Sequence, residues 1–340
     1  MTLMSPDIKN FLSTLTVKRS INAIKVLSSY YLSRITGKTI HWGYPISISF
    51  EPTTACNLRC PECPSGLRSF TRQTGNLKKD FFSTTIDQIA DKLIYLNFYF
   101  QGEPYINPDF LEMVSYANQK GLYTICSTNA HFLDDKNCIR TIESGLSRLV
   151  ISVDGTTQAS YSNYRKEGSL QTVLDGTRNL IKWKDKMNAD GPYIIFQFLV
   201  VRQNEHQVEE IKQIAEEIGV DEVKLKSAQI YDYKNGNPLI PENDKYSRYK
   251  KLADGSYTIK NKLSNHCWKL WHGSVFTWNG LLVPCCFDKD AKYIMGDLKK
   301  NSFKNVWNSK TMEEFRGKLM TGRQNIDICN NCTEGCKVFM

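Results

Sequence analysis

From residue 46 onward, short runs rich in β-branched and aromatic residues alternate with segments of helical periodicity, and no other feature narrows the fold as far. Strands are predicted at Ile46–Phe50, Ile94–Phe100, Leu122–Cys126, Arg148–Val153, Tyr193–Val201 and Glu222–Ser227. Helices are predicted at Phe81–Leu93, from Asn107-Pro108 through Lys120, and at Asp134–Ser144, Leu170–Lys186 and Glu205–Ile218, with Gly121 and Gly219 as stop signals. Such alternation argues for a parallel sheet with helices outside it. Six units are too few for a closed eight-fold barrel. The expected fold class is therefore α/β, a partial (β/α)6 barrel over residues 45–230 whose chemistry gathers at the C-terminal ends of the strands. Residues 231–265 are polar and read as a connection. Residues 266–340 are short elements punctuated by cysteines, the pattern of a small domain stapled by metal.

The chain has 11 cysteines. No apolar run reaches the roughly 18 residues of a membrane span, and the N-terminus lacks a secretory pattern, so the cytoplasm is the expected location. Clustered cysteines in a reducing compartment read as metal ligands or catalytic thiols. Three lie within Cys56–Cys63 and the rest, apart from Cys126 and Cys138, between Cys267 and Cys336. Cys126 and Cys138 read as small core or surface residues.

Net charge is +9, and more than half of it falls in residues 1–44, where Lys9, Lys18, Arg19, Lys25, Arg34 and Lys38 face only Asp7. Val17, Ile21, Ile24, Leu27 and Tyr31 recur at helical spacing, so residues 11–35 read as one basic amphipathic helix. That helix either caps the main domain or attaches to an anionic membrane surface or an anionic, lipid-linked substrate. Basic charge without a nucleic-acid motif gives no case for a nucleic-acid partner.

The run Cys56-Asn-Leu-Arg-Cys60-Pro-Glu-Cys63 directly follows the first strand. Thiolates select zinc or iron–sulfur clusters. Structural zinc usually takes four protein ligands, whereas three thiolates on a cube of four irons leave one iron open. CxxxCxxC in this place resembles the defining motif of the radical S-adenosylmethionine superfamily. The resemblance implies a [4Fe–4S] cluster on Cys56, Cys60 and Cys63, with the open iron chelated by the methionine part of S-adenosylmethionine. It also implies reductive cleavage to a 5′-deoxyadenosyl radical that abstracts hydrogen from substrate, and an electron donor such as flavodoxin or ferredoxin. The residue before the third cysteine, commonly aromatic in the family, is Glu62 here.

Gln101-Gly102-Glu103-Pro104 ends the second strand and is similar to the family's GGEP motif, which implies that Gly102, Glu103 and Pro104 hold the cofactor's amino group. By the same resemblance, Ser127 and Asn129 after the third strand and Ser152 and Asp154 after the fourth would meet ribose hydroxyls and the cofactor carboxylate. Either pair could instead cap a helix. Arg165 matches a segment where relatives place an arginine on that carboxylate. Gln197 and Asn204 near the fifth strand's end are weaker candidates.

Cys267, Gly280, Cys285-Cys286, Asp288 and the Cys329–Cys332–Cys336 run resemble the SPASM extension, which carries auxiliary iron–sulfur clusters in this superfamily. The ligand set this implies is Cys267, Cys285, Cys329 and Cys332. Zinc on the same four thiolates is the alternative. Asp288 is a candidate proton acceptor and Cys286 a candidate hydrogen-atom donor; Cys286 and Cys336 are also open as ligands. Trp268, Trp271 and Trp278 read as core.

The function expected from all this is a radical S-adenosylmethionine oxidoreductase acting on a polar small molecule: a sugar, nucleotide-linked sugar, amino alcohol or lipid headgroup. The auxiliary cluster would accept an electron. The alternative is peptide or protein modification by oxidation, epimerisation or crosslinking. A non-catalytic metal-binding module would need neither the open three-cysteine site nor the strand-end motif.

Overall fold

The computed structural model describes residues 5–261 and 263–335; Cys336, left open as a ligand above, lies outside them. Two N-terminal helices, α1 (Pro6–Ser13) and α2 (Val17–Thr36), precede the first strand. The alternating part runs β1 (Ser47–Phe50), α3 (Pro64–Leu67), α4 (Lys79–Asp87), β2 (Tyr95–Phe98), α5 (Phe110–Gln119), β3 (Tyr123–Thr128), α6 (Asp135–Glu143) and β4 (Arg148–Ser152). It continues with α7 (Gln158–Tyr164), α8 (Leu170–Lys186), β5 (Tyr193–Val200), α9 (Val208–Ile218) and β6 (Glu222–Ser227). All six expected strands are present. Then follow β7 (Tyr249–Lys251), β8 (Tyr257–Ile259), α10 (Trp268–His272), β9 (Gly273–Phe276), β10 (Leu281–Val283), β11 (Gly296–Asp297), α11 (Phe303–Trp307) and α12 (Lys310–Gly322).

The chain divides into two compact units. The first takes the residues up to Ala55, Phe70–Ile125 and those from Leu263 onward. Within it β11, β10, β9, β1 and β2 lie side by side in that order. β1 pairs parallel with β2 on one side and with β9 on the other, so Ser47 faces both Tyr95 and Gly273. β9–β10–β11 is antiparallel. Phe50, Phe82, Phe98, Phe276 and Trp307 are all buried in this unit. The sequence reading set 266–340 apart as its own domain. Here those residues share a compact unit with the first strands, because β9 extends their sheet.

The second unit takes Cys56–Ser69 and Cys126–Lys262. β4, β5 and β6 run parallel, with Val150 opposite Ile195 and Phe198 opposite Leu225. Residues 231–261 do more than connect. β7 and β8 form an antiparallel hairpin, and Ile230, Leu239, Ile240 and buried Tyr249 pack in one cluster with Leu58 and Cys60 of the cysteine loop. Tyr233 stacks on Tyr249 at 4.5 Å.

The single helix expected over 11–35 is two helices, broken at Thr14–Thr16. Thr16 caps α2 by accepting the Arg19 N–H. The facing is also reversed. Val17, Ile21 and Ile24 are 76%, 50% and 62% exposed, while Arg19, Asn22, Ser29 and Ser33 are buried with Val26 and Tyr30. That buried polar face is satisfied: the Arg19 guanidinium donates to the carbonyls of Thr14, Ala90 and Lys120 at 2.7, 3.0 and 2.8 Å. The Asn22 amide donates to those of Tyr44 and Lys92.

Candidate functional site

The first cysteine loop begins where β1 ends. Its turn is held tightly: Cys63 N–H donates to the Cys60 carbonyl at 3.3 Å, and Arg59 N–H to that of Lys166 at 3.0 Å. Gly66 of α3 sits so close that a Cβ there would lie 2.6 Å from the Cys60 nitrogen, which makes glycine a requirement of the loop. Cys56 and Cys63 pack against the same apolar cluster that buries Cys60.

Two of the expected polar residues, Asn129 and Arg165, meet this loop within the second unit, and a third, Asp154, holds Arg165. Asn129 donates to Asn57 Oδ1 at 2.7 Å and reaches Cys56 Sγ at 3.9 Å. Arg165, the C-cap of α7, places Nη1 3.8 Å from Cys60 Sγ and Nε 2.5 Å from Asp154 Oδ2. Asp154 is fully buried, and its other oxygen accepts the Leu199 N–H at 2.8 Å. Asp154 and Arg165 are thus each other's partners, where the sequence reading gave each a separate cofactor contact. Burial opposes the Arg165 charge, but Asp154 and Cys60 outweigh it and its pKa stands well above the ordinary value. Burial pushes the Cys60 thiol up, with Arg165 opposing.

Ser152 and Gln197 are register partners on β4 and β5, and Ser127 lies within β3. Glu62 takes no aromatic role: its carboxylate accepts the Tyr231 N–H at 2.9 Å and ties the loop to 231–261. Sequence reasoning underrated one of the residues that support these and missed two. Asn204, taken for a weak candidate, is fully buried and donates to the Asp154 carbonyl at 2.9 Å. His131 accepts the Ser169 N–H on Nε2, so its proton sits on Nδ1 beside the Asn129 carbonyl at 2.9 Å. The Tyr161 hydroxyl is buried without a hydrogen-bond partner among the described residues, in the field of Arg165, Asp154, Cys60 and Cys56.

In the first unit, Gly102 has φ +74°, and a Cβ would lie 2.2 Å from the Thr53 carbonyl oxygen and 2.8 Å from that of Ala55. Glu103 is buried, its N–H donates to the Ala55 carbonyl at 2.8 Å, and its carboxylate accepts the Tyr105 N–H at the start of the Pro104–Ile106 turn. The expected motif is thereby laid against the residue that precedes Cys56.

Cys267, Cys285, Cys329 and Cys332 line one cavity in the first unit, with Arg323, Lys269 and Glu334. Among the described residues, no three His, Cys, Asp or Glu side chains converge to the spacing of a single metal ion. Glu334 is taken up by Lys269 at 3.1 Å, which leaves sulfur as the donor set. Buried Arg323 donates to Cys332 Sγ at 3.4 Å and to the carbonyls of Glu334 and His266 at 2.8 and 3.0 Å. A Cβ on Gly335 would meet Cys267 Sγ at 2.3 Å. Burial raises all four thiols, Cys332 to about 12, so metal ligation is what would make them thiolates.

Two further candidates stand beside this cavity. Asp288 is buried, and its two oxygens accept the Lys292 and Tyr293 N–H groups at 2.8 and 2.9 Å, closing a turn. Cys286 is exposed and does not line the cavity. Of the three tryptophans, Trp268 and Trp271 are core, packed on Tyr30 of α2, whereas Trp278 is half-buried over Gly75.

The comparisons with known proteins agree with this geometry. Residues 50–211 match the Radical SAM superfamily model, and residues 267–333 match SPASM, an iron–sulfur cluster-binding domain. PqqA peptide cyclase of Gluconobacter oxydans is 27% identical over 202 residues, 59% of this chain and 54% of that protein. The tungsten-containing aldehyde ferredoxin oxidoreductase cofactor-modifying protein of Pyrococcus furiosus is 24% identical over 328 residues, 83% of this chain and 86% of that one. Among solved structures, BtrN in complex with AdoMet and 2-DOIA superposes with a TM-score of 0.53 at 18% identity, covering 87% of this chain and 95% of that one. The fold class is the partial (β/α)6 barrel with a cysteine-rich C-terminal part.

Proposed function

Given that this chain belongs to the radical S-adenosylmethionine superfamily and carries a SPASM domain, with S-adenosylmethionine and [4Fe–4S] clusters as its cofactors, we propose that it modifies a peptide or protein segment at a C–H bond. The observation that carries the peptide reading is the likeness to a peptide cyclase, 27% identical over 202 residues. It favours the alternative named from the sequence over the polar small molecule expected there.

In this reading Cys56, Cys60 and Cys63 hold the cluster that meets S-adenosylmethionine, and Cys267, Cys285, Cys329 and Cys332 hold the auxiliary one. When bound, these groups supply one electron for cleaving the sulfonium and a place for an electron to leave the substrate, so that oxidation is the proposed outcome. The protein's residues do the positioning. Asn129 and Arg165 reach Cys56 and Cys60, and Asp154, pinned by Leu199 and Asn204, fixes the Arg165 guanidinium. Gly102 lets the 101–104 backbone lie against Thr53 and Ala55, and Glu103 offers a buried carboxylate for the cofactor's amino group. Residues 231–261, packed over the cysteine loop, keep water from it. A flavodoxin or ferredoxin is the proposed electron donor.

The test is anaerobic turnover of cluster-loaded protein with dithionite and S-adenosylmethionine. Formation of 5′-deoxyadenosine should rise with a short peptide encoded beside this chain's gene, and mass spectrometry should find that peptide lighter by two hydrogens. Stimulation by sugars or nucleotide-linked sugars and by no peptide would refute the peptide reading and leave the family chemistry standing.

A further inference from the structure

α2 turns its apolar stripe to solvent. At 100° per residue, Val17, Ile21, Ile24, Tyr31 and Ile35 fall within an arc of about 80° running roughly 27 Å along the helix. Ile35 is 81% exposed, Ile24 62%. On α1, Ile8 and Leu12 are likewise exposed. Half of the exposed large apolar side chains among the described residues belong to residues 5–36, a concentration rather than scatter. The opposite side of α2 is the one that packs on the protein, through Tyr30 against Trp268 and Trp271, so the stripe is surplus to the core.

The charges around the stripe select what it meets. Lys18 and Lys25 stand on one shoulder, about 90° from its centre, and Arg34 on the other; α2 contains no acidic residue, and Asp7 is buried against Tyr123. Beside the first shoulder opens a cavity of about 390 Å³ bordered by Lys18, Ile21, Lys25, Tyr44 and Lys92. Asp91 pairs with Lys18 at 3.8 Å and Lys92 at 2.8 Å, so this face keeps a positive excess. Apolar side chains flanked by long basic ones that can extend to headgroup level make the pattern of a helix lying in a bilayer interface. Two-fold pairing with a second copy would instead bring like charges together along one seam. No described helix is long and apolar enough to cross a membrane.

We propose that α1 and α2 dock this protein on an anionic lipid bilayer, with the Val17–Ile35 stripe at the acyl boundary and Lys18, Lys25 and Arg34 on the headgroups. Cluster-loaded full-length protein is sedimented with phosphatidylcholine vesicles and with phosphatidylcholine–phosphatidylglycerol vesicles. It should pellet with the second and not the first, and high salt should release it. K18E/K25E should weaken the binding by about 30-fold or more, and I24S/I35S by about tenfold or more, with iron content and melting temperature as in the wild type because these side chains are exposed. Failure to pellet with the anionic vesicles overturns the proposal, as does undiminished pelleting of both variants. So does a solution dimer that I24S/I35S dissociates, which would give the face to a second copy.

Discussion

Replacing Asp154 by Asn tests the electrostatic centre of the cysteine loop. The Asp154 side chain has no exposure and that of Arg165 only 16%, so neither charge can turn to water when its partner is lost. Asn can still accept the Leu199 N–H on one atom, but it then sets an amide donor against the Arg165 Nε, and a buried guanidinium stands uncompensated. Breaking one side of such a pair costs about 3–5 kcal/mol. At the low end that is a fall in melting temperature of roughly 4 °C for a chain of this length melting as one unit. Without the cluster the penalty is at its largest, because burial keeps Cys60 a thiol; with the cluster loaded, a thiolate 3.8 Å from Arg165 Nη1 takes up part of the charge. D154N should therefore melt lower in both states, and the gap to the wild type should be wider in the apoprotein. The D154N/R165M double variant, with both charges gone, should recover most of the loss. Anaerobic thermal unfolding of the four proteins checks this. A D154N melting curve within about 0.5 kcal/mol of the wild type, or a double variant as low as the sum of the singles, would refute the reasoning.

Cys60→Ala should lose about four irons per chain and all 5′-deoxyadenosine formation while the Cys267–Cys332 site keeps its iron; iron and sulfide analysis beside turnover reads both. His41 and His272 give a pH signature. Burial lowers each to about 3, below the usual 6.5, so both are neutral in the fold. The stability this carries is full above pH 6.5 and is lost as pH falls towards 3, by up to about 1.4 kcal/mol per pH unit for each ring. Denaturant unfolding at pH 7 and pH 5 should show that slope, and His272→Gln should lessen it; an equal slope in the variant would count against the buried neutral ring.

The strands and the two cysteine clusters were legible because each is written locally: β-rich runs between helical ones, and ligands at short fixed spacing. What the sequence could not convey was which partner a polar residue finds far along the chain. The period of Val17, Ile21 and Ile24 locates an apolar stripe but not the side that packs. That side was settled by Arg19, whose carbonyl partners at Ala90 and Lys120 lie 71 and 101 residues away. Residues 231–261 have no period to read, yet Tyr249 and Ile240 close over Cys60. The partners of the Asp288 carboxylate, the Lys292 and Tyr293 N–H groups, meet it only once the turn forms. Asn204 left only its place near a strand end as a signal, and Arg323 left none.

The two cysteine sites differ in a way that bears on electron transfer. Each has an arginine at a thiol, Arg165 at Cys60 and Arg323 at Cys332. Arg165 pairs with the buried carboxylate of Asp154, whereas Arg323 also donates to the carbonyls of His266 and Glu334, which orient its guanidinium toward Cys332. A positive charge beside a buried cluster favours the reduced form, since reduction adds a negative charge in a medium that screens little. Arg323 thereby favours an electron on the auxiliary site. Arg323→Gln should shift its midpoint potential to more negative values, and Arg323→Lys, which keeps the charge, should restore most of the shift. Redox titration in a background lacking Cys56, Cys60 and Cys63 isolates the auxiliary signal. An unchanged or more positive potential in Arg323→Gln would show that the guanidinium only braces the Cys332 loop, because a brace can be lost without moving the electron.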